Sequence, residues 1–500
     1  MVRHKLNPSA LSIAFWTSRH GLFLSCFLLL PVLYFFSLPI AVGDAAIWVG
    51  SGKYFLQHGE LLRHDAFSVL PTREVVYPWG ISLIYGLLDW LGGLKLVSVF
   101  HKLVALLFVW LSYQFSLRPL KTPHSDIWTL RNLILIAIAG YGSCILCIDR
   151  PAMVAVVPFI LSFQILNQKD RLGRKQILYL GLIEIIWLTL HGSWILLPTM
   201  TIWRAFFRSL HEKKVLYAEW LAVCLMLAST LINPFGFRIW SYVFETASIS
   251  KARGIDEWSP TGLREPVDYY PQGLTYYALA FCVLVFIFFK IKKSKSPWLH
   301  LSSPFFLVMA LGPHSIRNTI WIFLSLLPYA ASQKFLTVKA AKQERPSLRK
   351  QVFNGGIVCS LIAVIISLTP YFKSHISFLL PEKKKAVFDE YSPFDLAQVI
   401  RDTKVDAPIF NAWEYGSFLI WALPNKIFID TRNIIYPEES FKTFLTVQAA
   451  QPGWEQILDK YGARFVLINK KQEARLAKAL SSSKSWKRLA ENKDSLLFFR

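Results

Sequence analysis

An acidic residue, Asp44, directly follows the first long apolar segment of the chain. Trp48, Gly52 and Leu56 come after it at helical spacing, which predicts a short amphipathic helix that Asp44 opens. A carboxylate at the edge of an apolar segment is costly to desolvate, so it is usually kept for a function. It could act as a general base that takes a proton from a hydroxyl. The structural alternative is that Asp44 only caps the helix, as Asp commonly does.

Other polar residues that could do chemistry lie where later apolar segments end or break. They are Asp65, Asp149, Arg150, His191, Glu257 and Arg317. The guanidinium groups of Arg150 and Arg317 suit the binding of a phosphate. Asp149 with His191 or Glu257 could hold a divalent metal ion, although no tight ligand spacing supports such a site.

Each of these residues also has a structural explanation. Asp65 suits a turn before the Phe67-Ser68 pair. Asp149 and Arg150 could neutralise each other as an internal ion pair. His191 precedes a glycine and could be a packed interface histidine. Glu257 lies four residues after an arginine and could pair with it on one helix face.

Composition sets the class of protein. The chain has 500 residues, of which 54% are hydrophobic, 15% aromatic and only 17% charged, and its mean hydropathy is +0.38. These values are typical of a polytopic membrane protein. The formal net charge of +23 resides mainly in short basic loops between apolar segments. That distribution follows the positive-inside rule, so we expect no nucleic-acid partner.

Apolar segments and basic loops together predict the topology. Residues 21–42 can span a hydrocarbon layer of about 30 Å, and the basic residues before them place the N-terminus inside and Asp44 outside. The helix from Pro78 to Trp90 is expected to lie along the outer surface, ahead of a crossing over residues 95–116. Three later apolar blocks are broken by polar residues and should form hairpins with their tips outside; they cover residues 131–167, 176–207 and 297–332.

Single crossings are predicted at residues 215–232, 273–290 and 353–371. Together these segments give about eleven transmembrane helices, with the N-terminus inside and the C-terminus outside. The predicted transmembrane domain covers residues 1–371, and its external loops at 43–94 and 233–272 carry most of the candidate residues. Residues 372–500 are predicted to form an extracytoplasmic α/β domain. Buried strands are expected at 407–411, 426–430 and 464–469, and helices at 414–422, 438–449, 453–461 and 472–480. This alternation predicts a small, largely parallel sheet.

The end of the second predicted strand carries two further polar residues, Asp430 and Arg432. Ligand sites of α/β folds lie at such strand ends. A local salt bridge between the two side chains explains them equally well.

The pattern of an acid just past the first membrane helix, followed by surface helices and a second external acid, resembles the GT-C superfamily of membrane glycosyltransferases. That superfamily includes protein mannosyltransferases, aminoarabinose transferases and oligosaccharyltransferase catalytic subunits. Asp44 in AVGDAAIW matches the first acid, and Asp149 in CIDRPAM matches the second in placement. One departure is that the first loop has a single acid at Asp44 and not an adjacent pair.

The chain is also similar to a bacterial group of multispanning proteins that share short motifs over most of their length. After the segment from Asp44 to Ser68, the motifs read RP, LHG, NPFG, EWSP and FIDTR, beginning at residues 150, 190, 233, 257 and 428.

The resemblance implies that a sugar moves from a polyprenyl-phosphate donor to an acceptor on the outer face of the cell inner membrane. The acceptor could be a lipid, a glycan or a protein. Asp44 would be the general base and Asp149 a second catalytic acid, while Arg150, His191, Glu257, Arg317 and Asp65 would bind substrate. A divalent metal cofactor is left open. The alternatives are a non-catalytic envelope polysaccharide assembly or export protein, and a polysaccharide polymerase or ligase.

Overall fold

The computed structural model describes residues 42–116, 150–261 apart from 169, 296–332 and 392–500, with isolated positions at 40, 276–278, 280–281, 284–285 and 388. Within these ranges the chain is mostly helical and carries one small sheet near its C-terminal end. Asp149 and the predicted crossings at 21–42 and 353–371 lie outside the described residues.

The segment predicted to be the first external loop begins with a helix, α1 (Val42–His58), that is followed after an irregular segment by α2 (Trp79–Ser116). Asp44 falls in the first turn of α1, as its spacing predicted. Helix α2 is interrupted at Gly92 and Gly93, where Gly93 has a φ of 69°, a conformation that favours glycine. The interruption separates the predicted surface helix from the predicted crossing.

Helices α1 and α2 meet backbone to backbone through Gly52 and Gly86. A Cβ atom on Gly52 would lie 2.0 Å from the carbonyl oxygen of Ser82, and one on Gly86 would lie 2.6 Å from the carbonyl carbon of Gly52. Only glycine permits this close approach, which is a common way to pack helices in membranes. The position of α1 is therefore fixed against α2.

The later apolar blocks are broken where the sequence predicts. A break at His191 separates α5 from α6, and the segment from Gly312 to Asn318 separates α10 from α11. The helices of this region are α3 (Pro151–Val154), α4 (Val156–Leu166), α5 (Arg174–Leu190), α6 (Leu196–Glu212), α7 (Tyr217–Ser229), α8 (Arg238–Ala252), α9 (Pro297–Leu301), α10 (Pro304–Leu311) and α11 (Thr319–Ser332). Short 3-10 turns occupy Gly192–Ile195, Asp256–Trp258, Gly312–His314 and Ile316–Asn318.

The described helices differ in whether they are long and apolar enough to span a membrane. In the described part of the chain, one stretch, Trp79–Ser112 within α2, is long and apolar enough to cross a membrane. Shorter apolar helices are found at Pro151–Leu166, Tyr217–Ser229, Pro304–His314 and Ile316–Leu326. The total of about eleven crossings therefore stays a prediction.

The C-terminal part is an α/β unit. Its helices are α12 (Phe394–Thr403), α13 (Gly416–Ala422), α14 (Glu438–Gln448), α15 (Trp454–Lys460) and α16 (Ala474–Ser482). Its strands are β1 (Ile409–Asn411), β2 (Phe465–Asn469), β3 (Lys487–Glu491) and β4 (Ser495–Phe499), in the order β1-β2-β4-β3. The four predicted helices here are confirmed.

The prediction of a largely parallel sheet is wrong. Among the four described strands, β1 and β2 pair in parallel, while β4 runs antiparallel to both β2 and β3. The sequence analysis missed the C-terminal hairpin of β3 and β4. The predicted strand at 426–430 contributes isolated bridges through Ile427 and no continuous ladder.

The first external loop reaches the edge of this sheet. Ser68 pairs with Ile427, and Ile427 in turn pairs with Ile409 of β1, each as a parallel bridge. The Val69 amide donates to the Ile427 carbonyl at 2.8 Å, and the Ile427 amide donates to the Phe67 carbonyl at 2.9 Å. Residues 67–69 therefore cover a sheet edge that would otherwise carry unpaired backbone groups.

Candidate functional site

Four of the predicted site residues form one cluster, which we call the tip cluster: Arg150, His191, Glu257 and Arg317. One oxygen of Glu257 accepts from Arg317 at 2.9 Å, and the other accepts from Arg150 at 3.2 Å. A second nitrogen of the Arg317 guanidinium lies 3.4 Å from His191 Nε2. The Arg150 and Arg317 side chains are 39% and 33% exposed, so the cluster is partly accessible from outside the fold.

Helix breaks bring the members of this cluster together. Arg150 directly precedes Pro151, which starts α3 and cannot extend a helix backwards. His191 follows the last residue of α5, and Ser193 holds its ring through Nδ1, with the amide at 3.1 Å and the hydroxyl at 2.8 Å. Arg317 lies in the turn before α11. Each residue is thus presented at a helix end, where the side chain can leave the apolar packing.

Two hydrogen bonds to backbone carbonyls join the turn that carries Glu257 to the turn that carries Arg317. Ser315 donates its hydroxyl to the Glu257 carbonyl at 2.8 Å, and the Ile316 amide donates to the Ser259 carbonyl at 3.0 Å. The Arg317 guanidinium also stacks over the Trp258 ring, 5.1 Å from its centroid. The structural alternative for Glu257, a pair with the arginine four residues earlier (Arg253), is not what the structure has, because Glu257 reaches two arginines from other parts of the chain.

The charges of the tip cluster set the protonation of its members. The adjacent Arg317 lowers the pKa of Glu257 against the opposing effect of burial, and Arg150 lowers it further. Burial, with a smaller contribution from Arg317, lowers the pKa of His191 to about 3. Both shifts arise outside the apolar helices. Glu257 is therefore charged and His191 neutral at physiological pH.

The two candidate catalytic acids are placed less completely. Asp149 lies outside the described residues, and for Asp44 the backbone is described but not the side chain. The first turn of α1 does share a contiguous apolar cluster with the tips. Val42 and Ala45, on either side of Asp44, belong to the same buried cluster as Val154 of α3 and Leu190 of α5.

Asp65 belongs to a different group, which we call the Asp430 cluster: Asp65, Ser68, Asp430, Arg432 and Tyr436. Arg432 donates to Asp65 at 2.6 Å and to both oxygens of Asp430, at 2.9 and 2.7 Å. Tyr436 donates to Asp430 at 2.6 Å, and its oxygen lies 2.7 Å from the Ser68 hydroxyl. The two carboxylates are fully buried, and the Arg432 side chain is 5% exposed.

These contacts favour the structural explanations of three predicted residues. Asp65 accepts from the Ser68 amide at 2.9 Å, which is the predicted turn, and it also pairs with Arg432. The salt bridge between Asp430 and Arg432 is present. The substrate-binding role of Asp65 stays a prediction. Tyr436 was missed, although a tyrosine six residues after a buried acid offers a hydroxyl for it.

Helix α8 lies between the two clusters. Its residue Tyr242 packs toward Gly192, beside His191: a Cβ atom on that glycine would lie 3.8 Å from the tyrosine ring. Directly after α8, Arg253 donates to the Tyr436 carbonyl at 2.8 Å and to the Asn433 carbonyl. The helix therefore contacts the residues beside His191, and the residue that follows the helix contacts the Asp430 cluster.

A metal ion does not fit the described members of the tip cluster. Both oxygens of Glu257 and the Nε2 side of His191 face guanidinium groups, which would repel a cation. Over the ranges that the structure describes, no three His, Cys, Asp or Glu side chains converge. A role for Asp149 in metal binding stays a prediction.

Neither a protein-family model nor a curated protein sequence matches the chain. Solved structures do share its fold. The Archaeoglobus fulgidus oligosaccharyltransferase, tethered to an acceptor peptide containing the NVT sequon, aligns with a TM-score of 0.53 and 10% identity over 96% of this chain and 74% of its own. ArnT from Cupriavidus metallidurans bound to undecaprenyl phosphate aligns with a TM-score of 0.52 and 13% identity, over 96% of this chain and 98% of its own.

A third comparison concerns archaeal oligosaccharyltransferase AglB from Archaeoglobus fulgidus, in complex with an inhibitory peptide and a dolichol-phosphate. It aligns with a TM-score of 0.52 and 10% identity, over 94% of this chain and 73% of its own. These neighbours are GT-C glycosyltransferases. The resemblance to the GT-C superfamily that the sequence motifs indicated is thus confirmed at the level of the fold.

Proposed function

We propose that this protein is a membrane glycosyltransferase that moves a sugar from a polyprenyl-phosphate donor to an acceptor on the outer face of the inner membrane. The observation that carries the proposal is the tip cluster, in which Arg150 and Arg317 converge on Glu257 at the ends of apolar helices. Fold similarity to ArnT with bound undecaprenyl phosphate supports a lipid-phosphate donor.

The chemistry of the tip cluster suits a leaving phosphate. Two guanidinium groups converge on one carboxylate, and both arginine side chains are partly exposed. Glu257 fixes both guanidinium groups in direction, and the Trp258 ring supports Arg317 from one face. Preorganised cations stabilise the charge that develops on a leaving group.

Asp44 is the proposed base. Its carboxylate would take the proton of the acceptor hydroxyl while the acceptor oxygen attacks the anomeric carbon. The bond from that carbon to the phosphate oxygen breaks, and the polyprenyl phosphate leaves with its negative charge facing Arg150 and Arg317. The shared apolar packing of Val42, Val154 and Leu190 supports the placement of α1 beside the tips. Asp149 is proposed as a second acid of the same site.

The proposal includes the predicted topology. We place the N-terminus in the cytoplasm, about eleven helices across the membrane over residues 1–371, and the α/β domain of residues 372–500 outside. The side of the membrane matters because no ATP is available outside. A donor that arrives already energised on a lipid carrier meets that restriction.

The test compares the envelope lipids and glycans of cells with and without the gene by mass spectrometry. The deletion is complemented with wild type or with Asp44→Asn, which keeps the size of the side chain and removes its basicity. We expect a mass difference of one sugar that wild type restores and the variant does not, at equal protein levels. An unchanged profile with confirmed expression would favour a non-catalytic role in envelope polysaccharide assembly, and full activity of Asp44→Asn would exclude Asp44 as the base.

A further inference from the structure

One short segment, residues 430–436, contacts two parts of the chain that lead to the proposed site. One is the loop that follows α1, and the other is the end of α8, which leads to Glu257. On one side Arg432 pairs with Asp65 at 2.6 Å, and Tyr436 meets the Ser68 hydroxyl at 2.7 Å. On the other side Arg253, the residue directly after α8, donates to the carbonyl of Tyr436 at 2.8 Å. The first external loop and the helix that leads to Glu257 are therefore bound to the same segment of the C-terminal unit.

The contacts on the first side continue to α1. The Arg73 amide donates to the Ile435 carbonyl at 2.6 Å, so the loop follows the C-terminal unit beyond the Asp430 cluster. The Phe67 ring lies 3.7 Å from the Cβ position of Gly50 in α1, and Ile420 of α13 also contacts that position. Movement of this loop would therefore be transmitted to the helix that carries Asp44.

The contacts on the second side continue to the tip cluster. Helix α8 ends at Ala252, only a few residues before Glu257, and Tyr242 of the same helix packs toward Gly192. The distance between α1 and the tip cluster thus depends on how the segment 430–436 is held.

Stability alone does not account for a buried Arg432. A buried ion pair replaced by apolar side chains of similar volume is often no less stable, because two charges must be desolvated. The cost is higher here, since Nη1 of Arg432 is buried and has no hydrogen-bond partner in the described structure. A charge that is buried at such a cost in free energy points to a requirement for one defined geometry.

We propose that Arg432 is a positioning residue for the transfer site. Its planar guanidinium binds Asp65 and Asp430 together and so sets the position of α1, and with it Asp44, relative to Arg317. The inference rests on the proposed glycosyl transfer. It assigns the C-terminal unit a role in aligning the base with the phosphate site.

The test uses Arg432→Lys in the complementation assay. Lysine keeps the charge but has no planar fork and cannot hold both carboxylates in the same way. We expect at least a tenfold loss of the glycan product at equal protein level, since a misplacement near 1 Å can cost roughly a hundredfold in rate. Binding of undecaprenyl phosphate to the purified full chain in nanodiscs should stay within about twofold of wild type, because its proposed contacts lie in the tip cluster.

A disulfide provides the rescue that separates positioning from general damage. Ser68 and Ile427 are direct partners in a parallel bridge, and neighbouring strands lie about 4.8 Å apart, within the range for a disulfide. Ser68→Cys with Ile427→Cys in the Arg432→Lys background should restore the product, whereas Ser68→Cys alone should not. The same cysteine pair with Arg432 intact is the control for activity.

A wild-type level of product in Arg432→Lys would overturn the inference, as would a disulfide that forms without restoring the product in an otherwise active pair. If wild type itself makes no product, the proposed function fails and the positioning is read from proteolysis between residues 60 and 74. Faster cleavage in Arg432→Lys that the disulfide slows would support the positioning; equal cleavage would refute it. Tyr436→Phe is a second variant without a charge change and should lower the product several-fold.

Discussion

The two arginine clusters of this protein use the same side chains in opposite ways. In the Asp430 cluster a single arginine is shared by two carboxylates, and the group is sealed from solvent. In the tip cluster a single carboxylate is shared by two arginines that are each about one-third exposed. In the first arrangement the charged groups pair with one another inside the fold. The second holds two guanidinium groups at a partly exposed boundary, where an anion can reach them.

The comparison shows that an acid or arginine is not marked as a site residue by its type alone. Asp65 and Glu257 were grouped together from the sequence, since both lie in external loops. The Asp65 side chain is fully buried and pairs with Arg432, whereas Glu257 orients two partly exposed arginine side chains. What distinguishes the two acids is the burial of their partners and their access to a ligand.

The largest effect on folding is expected from Asp430→Ala. It leaves the buried Arg432 with only Asp65 as a partner and removes the acceptor of the Tyr436 hydroxyl. Breaking a buried pair typically costs about 3–5 kcal/mol. Unfolding of the purified protein, followed by heat or denaturant, measures the loss. Glu438→Ala, which removes an exposed partner of Lys442, is the control and should not change stability measurably. Equal stability of the two variants would mean that the Asp430 cluster does not hold the fold.

Arg317→Gln should lower activity and leave stability unchanged, the opposite of Asp430→Ala. Because the side chain is partly exposed, the protein should remain folded, while transfer should fall by roughly 10²–10³-fold as for the loss of one preorganised donor. Product formation per unit of protein in complemented cells gives the comparison. The control is Arg171→Gln, which removes an exposed arginine paired with Glu212. A folded Arg317→Gln protein with full transfer would break the assignment of the tip cluster to the phosphate.

The smallest effect concerns pH. A carboxyl with a lowered pKa keeps its ion pairs above its usual pKa of 4.5 and loses them as the pH falls through the lowered folded value. His191, with a pKa of about 3, stays neutral over the same range. The titration of Glu257 and His191 should therefore not change the transfer rate between about pH 5 and 8. A change in rate near pH 6.5 that disappears in His191→Gln would show that the histidine titrates normally and that the cluster is more open than described.

Sequence patterns predicted the breaks of the apolar blocks because the signals are local. His191-Gly192 and Gly312-Pro313 interrupt long apolar runs, and a polar residue beside glycine or a glycine-proline pair there locally favours a helix break. The four C-terminal helices were predicted for the same reason. For Arg150, Arg317 and Glu257 the sequence predicted only a common side of the membrane. Their contact could not be predicted, since periodicity carries no information on contacts between distant segments.

The remaining features depend on contacts that no local pattern encodes. Asp65 and Arg432 are 367 residues apart, and their pairing requires the whole fold. The segment 426–430 is apolar enough for a central strand, yet only Ile427 pairs, and the loop at Ser68 takes the place beside it. Helical spacing offered Arg253 as a structural partner for Glu257, whereas that arginine is used to bind the backbone of residues 433 and 436.

The pairing of Ser68 with the C-terminal unit also has a consequence for biosynthesis. Tyr436 is made 368 residues after Ser68, which at roughly 5–20 residues per second is a delay of about 20 to 70 seconds. In the proposed topology the first loop is already translocated during that time, but its partner edge does not yet exist. Its backbone groups must stay hydrated or be held by other factors until residues 427–436 arrive. The proposed site is thus completed only when the last hundred or so residues have crossed the membrane, so a chain truncated before them would insert normally and still be inactive.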